Sequence, residues 1–287
     1  MCLLLTVVKF GTERLTHVIP STAGNTGHVT AVTSLGDDVF VVRLRSKQVE
    51  VYDAKTCTFQ RHVIIPGLGV KHDGPWGLAA CAHHQCLYVS ERSGNHRVHR
   101  AELTGSNAVK EWSVADGPTG LSVNKAHNVV VACSFCEEFN VQEYTTHGTL
   151  VREISQQNAL TSPWHAVQLS TGDYVVSQYI SGEVSVVGED GQVVRRYRPS
   201  HSSGFGKMNS PQSLAVTKND DIFVADTDNN RILSLNSSMS CAHELALPVD
   251  GGIGCPYGLC LDESRGRLYI GEYSGQRRVL VFDGVKM

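Results

Sequence analysis

Short apolar segments recur along the chain at a nearly constant spacing, and most of them follow a proline. Five such starts stand at residues 74–78, 117–121, 162–166, 210–214 and 255–259, with their prolines 43, 45, 48 and 45 residues apart. A sixth, degenerate copy begins at His28, 47 residues before Pro75. A period of this length, repeated along most of a chain, indicates a repeat architecture.

Each copy contains four short segments that are typical of β-strands. In the clearest copy, an apolar strand at 214–216 is followed by a polar turn at 219–221 and a second strand at 222–224. No window shows a sustained helical period. Four short strands in about 45 residues predict one blade of a β-propeller. We therefore expect an all-β fold, a six-bladed β-propeller with four-stranded antiparallel blades, as a single domain over residues 1–287. The blades are predicted to start near residues 28, 75, 118, 163, 211 and 256.

The ring must close, because an open ring would expose the faces and edges of its first and last blades. The last copy reaches Met287 soon after its third strand, so its outermost strand should come from residues 1–27, which also lead into the first blade. Two stretches there have the composition of a strand, residues 3–9 and residues 14–19. The sequence leaves both open as the N-terminal closing strand.

An acidic residue and an arginine recur around the turn between the second and third strands. These pairs are Asp226 with Arg231, Glu91 with Arg97, and Glu272 with Arg278. An acid at the end of the second strand can cap the turn and pair with an arginine that opens the third strand. We expect all six residues to be structural, because they recur from copy to copy.

Together with the Pro-x-Gly-Leu starts, these pairs resemble the repeats of the NHL family of six-bladed propellers, over residues 28–283. Many members of that family attach the propeller to the RING and B-box regions of tripartite-motif proteins, where it selects substrates for ubiquitin ligases. The resemblance implies the propeller fold and a recognition role. The copies that start near His28, Pro118 and Pro163 depart from the pattern and lack the acid–arginine pair.

Alternate loops of a four-stranded meander share one face, so the start of the first strand and the loop between the second and third strands should lie together near the central channel. The residues after the prolines belong there: Trp76, Thr119, Trp164, Gln212 and Tyr257. The same alignment places Arg43, Arg45, Arg92, His165 and Tyr179 on this face. Large amphipathic rings on a rigid rim suit the binding of a partner. The alternative is that they pack between neighbouring blades.

Composition and charge narrow the choice of partners. The chain has 25 Lys and Arg against 28 Asp and Glu, which gives a formal net charge of −3. This charge argues against a protein that binds nucleic acid or an anionic membrane by charge alone. We expect neither DNA nor a membrane as partner.

The nine cysteines are odd in number and irregular in spacing, which favours a reducing compartment and therefore a cytoplasmic location.

Metal and catalytic chemistry are not predicted. Related propeller lactonases and lyases hold a metal with carboxylates or histidines on their innermost strands. Here the central residues of those strands include no acid, and His165 has no counterpart in the other copies. Cys133 and Cys136 form a lone C-x-x-C, which is weak evidence for zinc. We expect no metal, no cofactor and no catalytic residue.

These features predict a non-catalytic module that binds a protein partner on the channel-rim face. The resemblance extends this prediction to substrate recognition in a ubiquitin ligase system. A single-stranded RNA-binding propeller is the alternative, because the basic run from Arg43 to Lys47 is expected on the same face. A metal-dependent enzyme of the lyase or lactonase kind is a second alternative.

Overall fold

The computed structural model describes residues 14–21, 26–68, 74–92, 96–104, 108–114, 117–134, 140–154, 160–198 and 206–285. The first strand is β1 (Arg14–Ile19). Blade 1 consists of β2 (Val29–Leu35), β3 (Asp38–Arg43), β4 (Gln48–Asp53) and β5 (Phe59–Ile64). Blade 2 consists of β6 (Pro75–Cys81), β7 (Cys86–Glu91), β8 (Arg97–Glu102) and β9 (Val109–Ser113). Blade 3 consists of β10 (Pro118–Val123), β11 (Val129–Cys133), β12 (Asn140–Tyr144) and β13 (Leu150–Glu153).

The second half of the ring repeats this arrangement. Blade 4 consists of β14 (Pro163–Gln168), β15 (Tyr174–Gln178), β16 (Glu183–Val187) and β17 (Val193–Tyr197). Blade 5 consists of β18 (Pro211–Val216), β19 (Ile222–Asp226), β20 (Arg231–Leu235) and β21 (Ala242–Glu244). Blade 6 consists of β22 (Pro256–Asp262), β23 (Arg267–Glu272), β24 (Val279–Asp283) and, outermost, β1. In the described part of the chain, the single helical element is a 3₁₀ turn at Thr227–Asn229.

The six sheets close into a ring around a central channel. The innermost strands β2, β6, β10, β14, β18 and β22 contact one another in this order, and β22 also contacts β2. Each blade is an antiparallel four-stranded sheet. The predicted fold, an all-β propeller of six four-stranded blades, is therefore confirmed.

The last blade is completed by the strand that comes first in the chain. The strand β1 pairs antiparallel with β24, so that Arg14 stands opposite Asp283 and Ile19 opposite Val279. Of the two candidate closing stretches, the one at 14–19 forms this strand, and residues 3–9 lie outside the described residues. Blade 6 is therefore a four-stranded sheet like the other five.

The hydrophobic core lies between the blades, because each sheet is apolar on both of its faces. All residues of β11 and β15 are buried. The interface of blades 4 and 5 is typical: Val175 and Val184 from one blade pack with Ile222 and Leu233 from the next. A single blade could not bury both faces alone, so the ring is the unit that removes this apolar surface from water.

The glycine of the Pro-x-Gly-Leu starts lies where neighbouring innermost strands approach most closely. A Cβ atom on Gly77 would stand 2.2 Å from the carbonyl oxygen of Thr119, and one on Gly120 would stand 2.6 Å from that of Trp164. Neither position has room for a side chain, since real Cβ atoms do not come this close to backbone oxygen. The motif is thus explained by the tight contact of strands around the channel.

Two of the three predicted acid–arginine pairs are present as ion pairs. The Arg231 Nε atom lies 2.7 Å from Asp226 Oδ2, and the Arg278 Nε atom lies 3.0 Å from Glu272 Oε2. Asp226 also accepts a hydrogen bond from the backbone N–H of Asn209 at 2.7 Å. Both carboxylates are buried and hold the turn that follows the second strand.

Glu91 and Arg97 are paired differently from the prediction. The Arg97 guanidinium forms its ion pair with Glu111 on the outer strand β9. The buried Glu91 carboxylate contacts the ring of His99 instead, with Oε2 at 3.1 Å from Nε2. His99 lies deeper in the same sheet than Arg97 and is fully buried, so it is the partner that the buried acid can reach. Both residues still join neighbouring strands of blade 2.

Candidate functional site

One residue of each blade points to the same level of the channel, and aromatic and polar residues alternate around the ring. The six positions are Thr30, Trp76, Thr119, Trp164, Gln212 and Tyr257. Blades 2, 4 and 6 carry the aromatic side chains, and blades 1, 3 and 5 carry the polar ones. All six residues are buried. The alternation gives this level of the ring an approximate threefold symmetry.

Trp76, Trp164 and Tyr257 meet on the channel axis and close it; we call them the aromatic plug. Their ring centres are 5.8, 5.7 and 5.7 Å apart, close to an equilateral triangle. Their exposed fractions are only 8, 6 and 5%. The three rings therefore pack mainly against one another across the channel. The sequence left two other arrangements open, rings exposed on the rim and rings packed between neighbouring blades, and the structure shows neither.

A second ring of residues covers the plug on its outer side. Of the six residues that directly follow the second strands, four contact the plug: Leu44, Arg92, Tyr179 and Tyr273. The other two, Ser134 and Thr227, are buried and donate to carbonyl oxygens of the next blade. Tyr273 stacks on Tyr257, with ring centres 4.7 Å apart, and Tyr179 meets Trp164 edge-on at 5.0 Å. The Arg92 guanidinium lies over the Trp76 ring, 4.9 Å from its centre, which is the geometry of a cation–π contact.

Arg92 and Tyr179 were predicted on this face from the sequence, whereas Tyr273 and Leu44 were not. Their position in the repeat could have identified them, because all four residues directly follow the second strand of their copy. Burial raises the pKa of Tyr179, and the nearby Arg92 charge opposes that rise. Ile180, which follows Tyr179 in the chain, is 63% exposed.

Arg43 is placed wrongly by the sequence prediction. It is the last residue of β3 rather than a loop residue, and its side chain is fully buried. Its Nε atom lies 2.9 Å from Glu50 Oε2, and its Nη1 atom donates to the carbonyl oxygen of Arg277 at 2.7 Å. It also donates to the carbonyl oxygen of Pro20. Arg43 therefore fastens blade 1 to blade 6 and to the segment after β1, while Arg45, with φ of +65°, is exposed.

His165 lies in the channel wall beneath the plug, not on the rim where the sequence alignment put it. Its Nδ1 atom accepts a hydrogen bond from the backbone N–H of Leu214 at 3.0 Å, and its Nε2 atom lies 3.0 Å from the carbonyl oxygen of Leu121. Since an N–H can only donate, the proton sits on Nε2. The ring lines the channel. Burial lowers the pKa of His165 to about 4, so the ring is neutral and joins three blades.

The channel beneath the plug is narrow and mainly apolar. A cavity of about 40 Å³ lies directly under the aromatic rings, and a mouth of about 290 Å³ opens on the opposite side of the ring. Leu78, Leu121 and Leu259 line both spaces, together with His165. Gln212 is buried at the level of the plug, and its Oε1 atom has no hydrogen-bond partner among the described residues.

Within the described ranges, no group of three or more His, Cys, Asp or Glu side chains is arranged to hold a metal ion. Cys133 is buried, and its Sγ lies 3.8 Å from Gln142 Oε1. Cys136, the other half of the C-x-x-C, lies outside the described residues. No helix in the described part of the chain is long and apolar enough to cross a membrane.

Comparison with known proteins identifies one repeat directly. Residues 208–233 match the NHL repeat model, and this segment includes the Asp226–Arg231 pair. No curated protein sequence matches the chain. Several solved structures resemble it along most of its length.

Hydrazine synthase of Kuenenia stuttgartiensis has a TM-score of 0.67 at 16% identity, and the match covers 96% of this chain and 100% of that one. The WD40 β-propeller domain of Doa1 has a TM-score of 0.66 at 13% identity, covering 96% and 97%. Virginiamycin B lyase of Staphylococcus aureus has a TM-score of 0.64 at 12% identity, covering 94% and 89%. Such low identities show a common fold and nothing about activity. The chain is thus a six-bladed β-propeller that carries an NHL repeat at residues 208–233.

Proposed function

We propose that this propeller is a non-catalytic module that binds a protein partner on the outer side of the aromatic plug. The contact surface, which we call the plug face, consists of Leu44, Arg92, Tyr179, Ile180 and Tyr273. The observation that carries the proposal is the exposure of Ile180, 63%, directly after the half-buried Tyr179. An apolar side chain held in water next to aromatic rings and an arginine has the composition of an interface centre.

The plug supports this role by making the face rigid. Tyr273 and Tyr179 are held by stacking on Tyr257 and Trp164, which are themselves locked across the channel. A partner that binds here loses less free energy to side-chain ordering than one that binds flexible loops. The aromatic plug residues themselves are support for the surface and contribute little area of their own.

A protein partner is favoured over single-stranded RNA by the burial of the expected RNA-binding groups. Base stacking needs an exposed ring face, and the plug rings are 5–8% exposed. Arg43, one of the two arginines on which the RNA alternative rests, is buried against Glu50. The channel also offers little for catalysis, since His165 is neutral and engaged on both nitrogens.

The resemblance to tripartite-motif propellers extends the proposal to substrate recognition in a ubiquitin ligase system. The cytoplasm is the proposed location. The odd number and irregular spacing of the nine cysteines support this location.

The test compares two matched double variants. Tyr179→Ala with Ile180→Ala removes an aromatic and an apolar side chain from the plug face. Phe59→Ala with Ile64→Ala removes the same kinds of side chain from the outer strand β5, where they are 47 and 68% exposed. A photo-crosslinking residue at position 180 then reports what touches the face in cell extract, with and without nuclease.

We expect the wild-type chain and the β5 variant to capture the same proteins, and the plug-face variant to lose them. Crosslinks from position 180 should reach a protein and survive nuclease treatment. A folded plug-face variant that keeps every partner would contradict the proposal. Capture that disappears with nuclease would replace it with the RNA alternative.

A further inference from the structure

On the side of the ring opposite the plug, neighbouring blades are joined at the turns between their first and second strands. At the seam of blades 4 and 5, the backbone N–H of Ser170 donates to Asp220 Oδ1 at 2.7 Å. At the seam of blades 6 and 1, Arg265 Nη2 lies 2.5 Å from Asp37 Oδ1. Two further seams have a hydrogen bond of the same kind, from the backbone N–H of Lys125 to Gln168 Oε1 and from that of Lys218 to Glu263 Oε1. Each of these four seams therefore depends on a polar acceptor.

At the seam of blades 2 and 3, imidazole rings make the contact between the turns. His83 lies in the turn between β6 and β7, and His127 lies in the turn between β10 and β11. Their rings are parallel within 5°, with centres 4.1 Å apart. His84 meets His83 edge-on at 4.7 Å and lies 6.1 Å from His127. We call these three residues the histidine cluster.

The backbone of the blade 3 turn does not require a histidine. His127 has a φ of +61°, which lies in the left-handed region that glycine adopts most readily. Blades 4 and 5 build the same turn with the same two backbone hydrogen bonds, and there the corresponding residues are Gly172 and Asp220. The contact with blade 2 is therefore made by the side chain of His127 and not dictated by the turn.

The two carboxylates on the strands beside the cluster already have cationic partners. Glu102 lies 2.8 Å from Arg100 on β8, and Glu143 lies 2.8 Å from Arg152 and accepts a hydrogen bond from Asn128 Nδ2. The other titratable groups around the cluster are His147 in the next turn of blade 3, Lys125, whose Nζ atom donates to the carbonyl oxygen of Ser170, and the buried side chains of Cys81, Cys86 and Tyr88. Burial raises the pKa of Cys86 and of Tyr88, so both stay uncharged at neutral and acidic pH.

We propose that the histidine cluster makes the seam between blades 2 and 3 sensitive to pH, closed when the rings are neutral and open when they are protonated. One proton leaves an imidazolium over a neutral ring, which is still an attractive arrangement. A second proton places two like charges 4.1 Å apart, so that the rings repel each other. The seam therefore opens as the pH falls below about 6.5, the ordinary pKa of histidine.

The surroundings of His84 set the direction of this response. Burial lowers the pKa of His84, and His83, Arg100, His127 and His147 lower it further. The open seam, where these groups move apart, takes up protons more readily than the closed one. Protonation therefore favours the open seam, and the contribution of the cluster to the closed form is complete above pH 6.5 and decreases as the pH falls.

The experiment measures hydrogen exchange of the full chain by mass spectrometry at pH 7.5 and pH 5.5, as protection factors corrected for the intrinsic exchange rate. The amides of Asn124 and His127 are hydrogen-bonded within the blade 3 turn, and those of Leu169 and Gly172 within the blade 4 turn, which is the internal reference. The test variant combines His83→Gln with His127→Gly, since glycine suits the φ of +61°. His62→Gln on β5 is the control, because it removes an exposed histidine from another blade.

A second measurement reports the same opening without exchange. Cys86 follows the blade 2 turn and is fully buried. Its labelling by 4,4′-dithiodipyridine, a thiol reagent that remains active at acidic pH, is located by mass spectrometry of peptides. A closed seam protects this thiol, and an open one exposes it.

We expect protection in the blade 3 turn of the wild type to fall about tenfold more than in the blade 4 turn between pH 7.5 and 5.5, with faster labelling of Cys86. The control should behave like the wild type, and the double variant should show no such difference between the two turns. Equal changes in both turns of the wild type would overturn the proposal, since global unfolding at low pH lowers protection everywhere. So would a double variant that keeps the pH response of the wild type.

Discussion

The Ser90 hydroxyl of blade 2 donates a hydrogen bond to the carbonyl oxygen of Thr119 in blade 3, at 2.8 Å. In blade 4, Ser177 takes the corresponding place on the second strand and donates to the carbonyl oxygen of Gln212 in blade 5. Blade 6 has Gly271 at this place, and a Cβ atom there would lie 2.5 Å from Val29 Cγ1. At this position, the seam between the last blade and the first is therefore filled by an apolar side chain instead of the serine hydrogen bond.

Gly271→Ala should destabilise the propeller by about 1–3 kcal/mol, the usual cost of inserting a methyl group into a packed core. The cost arises because the new Cβ collides with Val29, which reaches across the seam. Urea unfolding of Gly271→Ala in the wild-type and Val29→Ala backgrounds measures the coupling. We expect the double variant to recover part of the loss. Equal losses in both backgrounds would show that Val29 is not the cause.

Asp226→Ala should cost about 1–3 kcal/mol of unfolding free energy, since it leaves buried donors such as the backbone N–H of Asn209 without their acceptor, while Arg231 keeps its contact with Glu244 at 3.5 Å. The Asp226 carboxylate is fully buried and also accepts a hydrogen bond from Asn229 Nδ2 at 2.8 Å. Asp228→Ala is the matched control, because that carboxylate is exposed two residues away. Chemical denaturation at pH 7 should separate the two variants clearly. A similar, small loss in both would mean that the buried pair contributes little.

His165 should make the stability of the ring fall as the pH is lowered from about 6.5 toward 4. Burial lowers the pKa of His165 to about 4 in the folded protein, and this value is the lower limit of the pH range. In the unfolded chain the pKa of His165 is near its ordinary value of about 6.5. Between them the unfolded state binds a proton that the folded state does not, so the contribution is complete above pH 6.5 and decreases as the pH falls toward the folded pKa. It amounts to no more than about 3 kcal/mol.

His165→Gln should therefore have a flatter stability profile between pH 4 and 6.5 than the wild type. The measurement is the unfolding free energy in urea at half-unit steps of pH. His62→Gln serves as control, because it removes an exposed histidine outside the channel and should leave the slope unchanged. If His165→Gln keeps the wild-type slope, the channel histidine is not the group that titrates.

Deleting the strand β1 should leave the chain poorly folded or aggregated. Without it, the edge of β24 would expose unpaired backbone groups and the outer side of blade 6 would lose its cover. A chain starting at Arg14 is the control, because it retains every residue of β1. Circular dichroism and size-exclusion chromatography should distinguish a chain starting at Pro20 from this control. A monomeric, cooperatively folded chain from Pro20 would contradict the importance of this strand.

The fold could be predicted because the proline-led start recurs in five copies and the strand pattern in all six, so that several weak signals agree. The Asp226–Arg231 pair was predictable for the same reason. Arg43 was not, since its acid, Glu50, lies two residues into β4 and the usual order of acid and arginine is reversed. Local spacing does not reveal this, because the pairing depends on which face of the sheet each side chain occupies.

The plug could be predicted only in part. The residues that form it were identified from their position after the prolines, but their contact with one another is made across the channel between blades that are not neighbours in the chain. Whether a ring residue is exposed or buried depends on the diameter of the channel. That diameter is fixed by the close approach of innermost strands at Gly77 and Gly120, a property of the whole ring.

The pairing of Arg14 with Asp283 has a consequence for synthesis on the ribosome. The strand β1 must wait, unpaired, until β24 has been made. Blades can collapse onto their predecessors during translation, but the final seam joins opposite ends of the chain and so has the largest entropic cost of loop closure. We therefore expect the nascent propeller to remain an open arc until residues 279–283 leave the exit tunnel.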